Sequence, residues 1–190
     1  MGTMKIYTII GGVNGAGKSS LTGSLKYQRD DLGKIIDVDK LAVRYGAFIE
    51  GGKAAIALQA RYMAEGISFT QETTLSGQRP LRMIRQAKEA GYYVRLFYVG
   101  ISSAEEAIKR IQNRVAKGGH DIPAADVMRR FDARNEALIN ILDYCDEAVF
   151  FDNENGFAEV AEYRNGELVP RGDYCPAWLE ELRQRLEERA

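Results

Sequence analysis

The sequence predicts an α/β protein built on a parallel sheet with helices on both faces. Three observations carry this. Apolar strand-like runs alternate with helical stretches along the 190 residues, the pattern of parallel strands joined by crossover helices. Hydrophobic residues make up 45% of the chain and charged residues 28%, enough apolar material to bury a core without disulfide or metal staples. Near the N-terminus, Gly12-Val13-Asn14-Gly15-Ala16-Gly17-Lys18-Ser19 fits G-x-x-x-x-G-K-[ST], the phosphate-binding loop of P-loop NTPases.

The context of that loop fits its chemistry. Ile6, Tyr7, Ile9 and Ile10 give a buried strand over about 4–11, and Ser20, Leu21 and Leu25 open a helix to about Tyr27. Glycines let backbone N–H groups turn towards a phosphate chain, and the helix N-terminus adds its positive dipole end. Lys18 is placed to reach the β- and γ-phosphates and Ser19 to ligate Mg²⁺, so a bound nucleoside triphosphate is expected. The cofactor-binding set is Gly12, Asn14, Gly15, Ala16, Gly17, Lys18, Ser19 and Ser20.

The remaining elements follow in order. Gly33 breaks the chain, and residues 34–38 read as strand two, with Asp39 directly after it. A helix over about 40–49 is expected to end at Gly51-Gly52, and another over about 53–65 at Gly66. Residues 67–71 alternate like a third strand and deliver Glu72, Thr73 and Thr74 at its end. Pro80 suits the first turn of a helix through Ala90. Tyr92 to Val99 is aromatic and β-branched, the clearest strand in the chain. Ser102 and Ser103 precede Glu105 and Glu106, a doubled capping-box pattern that opens a helix to about Lys117, stopped at Gly118-Gly119. Pro123 opens a long helix to about Tyr144. Ala148 to Phe151 is a fifth strand ending in Asp152-Asn153. A hairpin around Asn165-Gly166 extends the sheet, and a helix over about 176–189 carries Trp178, Leu179, Leu182 and Leu186 as a packing stripe. No linker or repeat divides the chain, so residues 1–190 are expected to form a single domain, with a lid over about 110–130 and a C-terminal hairpin and helix over about 157–190.

Composition narrows the function classes. The net charge is −1, which gives no general affinity for nucleic acid or acidic membranes. Cys145 and Cys175 show no metal-ligand spacing; a reduced, cytoplasmic setting is expected, with Cys145 in the core. Residues 1–5 lack an apolar run behind a basic one, so no secretory leader is expected, and no apolar stretch is long enough to span a membrane.

Ligands of open α/β sheets sit beyond the carboxyl ends of the strands, which puts Asp37, Asp39, Glu72, Thr73, Thr74 and Asp152 on the rim of the phosphate loop. Asp39 reads as a general base that orients an attacking hydroxyl, with helix capping as the alternative. Asp37 competes for that role: two residues apart in a strand, the pair would face the same way. Glu72 suits either Mg²⁺ or a substrate hydroxyl, and Thr73 and Thr74 either substrate or a helix start. The stretch from Arg110 to Arg130 is arginine-rich and looks like a lid that closes on phosphates; Arg114 and one of Arg129 and Arg130 are favoured, with His120 in its loop as a substrate or structural contact. Leu75-Ser76-Gly77-Gln78 looks like a clipped transporter signature, but it lacks one glycine and no strand ending in Asp-Glu follows, so a transporter ATPase is not expected. A small-molecule kinase is the leading expectation, beside a nucleotide-gated binding module with slow ATPase activity and a polynucleotide 5′-hydroxyl kinase.

Residues 12–20, Ile36-Asp37-Val38-Asp39, Gln71-Glu72-Thr73-Thr74-Leu75-Ser76-Gly77, and Arg114 through Pro123 followed by Arg129-Arg130 together resemble the zeta-toxin family, in its short bacterial branch often labelled "predicted ABC-type ATPase". The resemblance spans about residues 4–155. It implies a nucleoside-monophosphate-kinase-like three-layer fold with a five-stranded parallel core in the order 2-3-1-4-5 and a helical lid. It implies ATP- and Mg²⁺-dependent phosphorylation of a small molecule, UDP-N-acetylglucosamine in characterised zeta toxins, and an antitoxin protein as partner. By the same resemblance Lys18 is the phosphate-loop lysine, Asp39 the base, and Arg114 with Arg129 or Arg130 the lid arginines; Glu72, Thr73 and Thr74 line the substrate site.

Overall fold

A computed structural model describes residues 4–154 and 156–189; the side chains of Asp39 and Phe48 lie outside the described residues. Strand β1 (Ile6–Gly11) is buried along its whole length. It pairs in parallel with β3 (Phe69–Thr73) on one side and β4 (Tyr93–Gly100) on the other. Strand β2 (Lys34–Ile36) flanks β3, and β5 (Glu147–Asp152) flanks β4, both in parallel. The expected core order 2-3-1-4-5 is therefore present. The hairpin β6 (Ala158–Arg164) and β7 (Glu167–Pro170) adds two antiparallel strands beyond β5, giving seven strands rather than five. Its turn is Asn165-Gly166, both with positive φ, as a two-residue type I′ hairpin requires.

Helices cover both faces. Successive β1 and β4 residues point to opposite sides, so the apolar runs feed two cores. Tyr7, Ile9, Leu96 and Tyr98 meet α4 (Arg79–Glu89), α7 (Arg134–Leu142) and α8 (Ala177–Arg189) on one face. Ile10, Phe97 and Val99 meet α1 (Lys18–Gln28), α5 (Ala104–Val115) and α6 (Ala124–Asp132) on the other. Among the described residues no helix is long and apolar enough to cross a membrane.

Three expected boundaries move. Residue 37 ends strand two: Asp37 is the N-cap of α2 (Val38–Tyr45), its carboxylate accepting from the Lys40 N–H at 3.0 Å. Asp39 is thus in the first turn of a helix, and the same-face argument for Asp37 and Asp39 fails because the two do not share a strand. The next helix, α3 (Phe48–Glu65), runs straight through Gly51-Gly52; the break falls at Gly46, which is left-handed with φ 75°. Gly51 serves a close approach instead: a Cβ there would sit 2.4 Å from the Ala42 nitrogen of α2. The long helix expected over 123–144 is two, α6 and α7, divided at Ala133. Arg134 donates to the Phe131 carbonyl at 2.8 Å, satisfying one of the carbonyls that the end of α6 leaves open.

The C-terminal helix packs as its apolar stripe indicates. Trp178, Leu179 and Leu182 are buried, and a Cβ at Gly100 would lie 2.0 Å from the Trp178 ring, so β4 carries glycine where the indole lies against it. The Trp178 indole N–H donates to Asp152 Oδ1 at 2.7 Å, and the Tyr174 hydroxyl contacts Oδ2 at 3.3 Å. Asp152 is fully buried in these contacts and is not part of the open rim where strand-end reasoning put it. Cys145 packs against the core, and burial pushes its thiol up to about 12.

The opposite end of the sheet holds an ion cluster that no motif announced. Arg95 on β4, 4% exposed, pairs with Glu147 at 2.8 Å and Asp31 at 2.9 Å, and Arg29 holds Asp31 through two bonds of 2.8 Å. The hydrogen-bonded Arg29 guanidinium, with Arg95 beside it, keeps the Asp31 carboxyl well below the usual carboxylate range.

Two predictions follow from this packing. Trp178→Ala removes a buried ring and the partner of Asp152, and should lower unfolding stability by about 3–5 kcal/mol in urea titrations. A loss under about 1 kcal/mol would show that α8 contributes little to the fold. Asp31 is depressed in the folded state, so its contribution is complete above its unfolded value of about 4 and fades as the pH falls below that. Asp31→Asn should therefore lower Tm at neutral pH, with the gap to the parent protein closing in acid; a gap that is constant with pH would show that the carboxylate charge is not what Arg29 and Arg95 hold.

Candidate active site

Residues 12–17 leave β1 and turn into α1. A Cβ at Gly15, whose φ is 79°, would lie 2.5 Å from the Ala107 carbonyl of α5, so only glycine lets the loop pass that helix. Gly17 is the left-handed N-cap of α1. The loop therefore presents backbone N–H groups at a helix start, a site suited to anions. Lys18 Nζ donates to the Gly12 and Val13 carbonyls at 2.8 and 2.9 Å and so arches over the loop.

A cavity of about 590 Å³ opens above this loop. The loop and α1 line one wall with Asn14, Gly15, Gly17, Lys18, Ser19 and Ser20. The strand ends supply Asp37, Glu72, Thr73 and Thr74, with Ile36 and Val38 as apolar neighbours. The segment from α5 to α6 supplies Arg114, His120 and Arg130. Thirteen of the expected site residues thus meet in one cleft. Gly12 and Ala16 are buried in the floor of the loop and do not line it. Arg129 is not brought to the cleft: it is exposed and paired with Asp126 at 2.6 Å. The side chain of Asp39 lies outside the described residues, so only its position in the first turn of α2 is stated.

The cleft divides by charge. Glu72 accepts from the Ser19 hydroxyl through Oε2 at 2.7 Å, and its Oε1 lies 2.7 Å from the Thr22 hydroxyl. Both carboxylate oxygens face α1, beside the hydroxyl expected to ligate metal. Asp37 is turned to the backbone of its own helix as its cap. Thr73 accepts from the Leu75 N–H at 3.1 Å, which steadies the backbone where Leu75 takes a left-handed φ of 61°. On the facing wall, Arg130 donates to the Asn14 side chain at 2.7 Å, a direct link between α6 and the phosphate loop. Arg114 donates to the His120 carbonyl at 2.6 Å and shapes the loop after α5.

Two polar lining residues were not among the favoured site residues, although Arg110 opens the arginine-rich stretch. Arg110, one helical turn before Arg114, donates to Glu106 at 2.9 Å and to the Asn153 carbonyl at 3.1 Å. Asn153 follows the end of β5, and its amide donates to the Ala16 carbonyl at 2.7 Å, gripping the loop from beneath. The strand-end rule that selected Asp152 applies with better result to its neighbour. Among the described residues, no group of three or more His, Cys, Asp or Glu side chains could hold a metal ion by itself.

No family model matches the chain. An uncharacterized protein of Haemophilus influenzae is 37% identical over 124 residues, which cover 62% of this chain and 86% of that protein. The toxin–antitoxin structure PezAT of Streptococcus pneumoniae superposes with a TM-score of 0.64 at 17% identity, over 99% of this chain and 86% of its counterpart. The AvrRxo1-ORF1:ORF2 structure with ATP gives a TM-score of 0.66 at 15% identity, over 98% and 77%. Identities this low speak for the fold alone. The chain belongs to one family with the Haemophilus protein, and its fold is the P-loop kinase fold of the zeta-toxin type.

Proposed function

We propose that this protein is a kinase that transfers the γ-phosphate of ATP to a hydroxyl of a small molecule. The observation that carries the reading is the division of the cleft: Lys18, Arg110, Arg114 and Arg130 on the loop and helix side, against Asp37 and Glu72 at the strand ends. A triphosphate belongs with the cations and its metal beside Ser19 and Glu72, which leaves the strand ends at Thr73, Thr74 and the start of α2 for a hydroxyl acceptor, so the two reactants would be held against each other across the phosphate loop. ATP is the nucleotide in the AvrRxo1 neighbour, which supports it as the donor here.

The residues fit Mg²⁺. The cation takes hard oxygen ligands, keeps several waters, and is held in such sites by one or two protein groups plus substrate phosphates. Ser19 and Glu72 offer that set, and a larger cluster of protein ligands is not needed. When bound, Mg²⁺ neutralises charge on the transferring phosphoryl group. The chain's own residues do the rest. Lys18 and the loop N–H groups hold the β- and γ-phosphates. Arg114 and Arg130, on a segment that acts as a lid, stabilise the charge of the transition state. Asp39 accepts the proton of the attacking hydroxyl, and Thr73 and Thr74 help to seat the acceptor. UDP-N-acetylglucosamine is the acceptor that the resemblance names, and an antitoxin is the partner it implies; the pairing of PezAT as a toxin–antitoxin system supports the latter.

A transfer assay with γ-labelled ATP, Mg²⁺ and UDP-N-acetylglucosamine tests this, with products identified by mass spectrometry. Acceptor-dependent product that disappears in Lys18→Ala is expected. Tight ATP binding with no phosphorylated product, from this acceptor or from a metabolite extract, would replace the kinase with a nucleotide-gated binding module. Asp39→Asn should lower the transfer rate by about 10²–10⁴-fold while ATP affinity is retained. Full transfer in that variant would remove Asp39 from the mechanism.

A further inference from the structure

Thr22 lies outside the phosphate-loop motif, one helical turn beyond Lys18, and is 3% exposed. Its Oγ1 sits 2.7 Å from Glu72 Oε1 and 2.9 Å from the Lys18 carbonyl. A hydroxyl has one proton to give, and an ionised carboxylate accepts it more strongly than a peptide carbonyl. The Lys18 carbonyl already receives a helical N–H bond within α1. The Thr22 proton therefore goes to Glu72. Ser19 and Thr22 stand three apart on α1, on one face of the helix. Their hydroxyls take one oxygen each of the same carboxylate, with Ser19 on Oε2 at 2.7 Å.

We infer that Thr22 is a positioning residue: it fixes the Glu72 carboxylate so that the Ser19 hydroxyl is turned to donate to it, leaving the Ser19 lone pairs towards the metal of the nucleotide. The inference rests on the reading of the cleft as a Mg²⁺–nucleotide site. Glu72 reaches across from β3 on a side chain with three torsions, and one hydrogen bond leaves the carboxylate free to swing about that single contact. A second bond to the other oxygen fixes its plane. With the carboxylate fixed, the Ser19 proton has one direction. A residue beyond the ligands that orients them in this way is worth about 10–100-fold in metal affinity.

The test is equilibrium binding of a fluorescent ATP analogue to the full chain, titrated with Mg²⁺ and repeated in EDTA. Thr22→Val keeps the shape and removes the hydroxyl. It should raise the half-saturating Mg²⁺ concentration by about tenfold or more and leave the affinity in EDTA unchanged. Thr22→Ser keeps the oxygen and should behave like the parent. In a Glu72→Gln background, Thr22→Val should add little, because the group it acts through is already altered. Should Thr22→Val not fold, Thr22→Ala takes its place in the same cycle. An unchanged Mg²⁺ requirement in Thr22→Val would overturn the inference. So would an equal loss with and without Mg²⁺, additivity with Glu72→Gln, or a parent protein whose nucleotide binding ignores Mg²⁺. Absence of acceptor phosphorylation would sink the kinase reading alone, since binding is read here and transfer is not.

Discussion

The pairing of β1 with β3 is the constraint on which the cleft depends. The two run in parallel with Ile10 opposite Glu72 and Gly11 opposite Thr73, so the carboxylate leaves the sheet where β1 gives way to the phosphate loop. Parallel strands end on one side, and the loop, the acidic residue and the two threonines arrive together for that reason alone. The register is firmly held. β1 is buried throughout and bonded on both edges, and a slip of one residue in β3 would turn Glu72 towards the other face of the sheet and away from Ser19.

The outer elements reach the loop from below and from the side. Asp152 has its charge engaged by Trp178 and Tyr174 on the C-terminal segment, and the next residue, Asn153, holds the Ala16 carbonyl. The seat of α8 and the floor of the loop therefore share one strand end. On the other side Arg130 of α6 holds Asn14. The loop is thus held at Asn14 from one side and at Ala16 from beneath. A loop held at several points before a ligand arrives has less freedom to lose on binding, the condition for tight capture of a flexible phosphate chain.

How far the sequence revealed this varies with the physics behind each feature. The phosphate loop was legible in full, because its glycines answer to local backbone geometry that only glycine meets. The core strand order came with the family resemblance, and the alternation of strands and helices agreed with it. Glu72 was legible because an acidic residue at the end of an apolar strand has few inexpensive explanations. Gly51-Gly52 was misread because glycine has two structural uses, ending a helix and letting another backbone come close, and only the position of Ala42 separates them. Arg129 and Arg130 are adjacent on a helix, about 100° apart around its axis. Which one faces the cleft depends on where α6 starts and on its break from α7 at Ala133, and no side-chain pattern marked that break. The Arg29–Asp31–Arg95–Glu147 cluster was invisible because its two halves are distant in sequence: the pairing of β4 with β5 sets Arg95 beside Glu147, and the loop after α1 brings Arg29 and Asp31 to them.

The geometry of Glu72 also bears on where an acceptor would sit. Sequence reasoning left this residue open between metal and substrate. With both oxygens turned to hydroxyls of α1, the carboxylate faces the metal side of the cleft. In the proposed reaction the seating of the acceptor then falls to what remains at the strand ends: Thr73, Thr74 and the start of α2, where Asp37 caps the helix and Ile36 and Val38 add apolar wall. Such a surface offers hydroxyls, a short apolar step and the start of a helix, where Asp37 is engaged in capping and Asp39 stands in the first turn. It favours an acceptor whose reacting end is polyhydroxylated and uncharged over one that brings a second anion to the point of transfer. An anionic portion of the acceptor would have to reach the arginines of α5 and α6 instead, on the far side of the cleft.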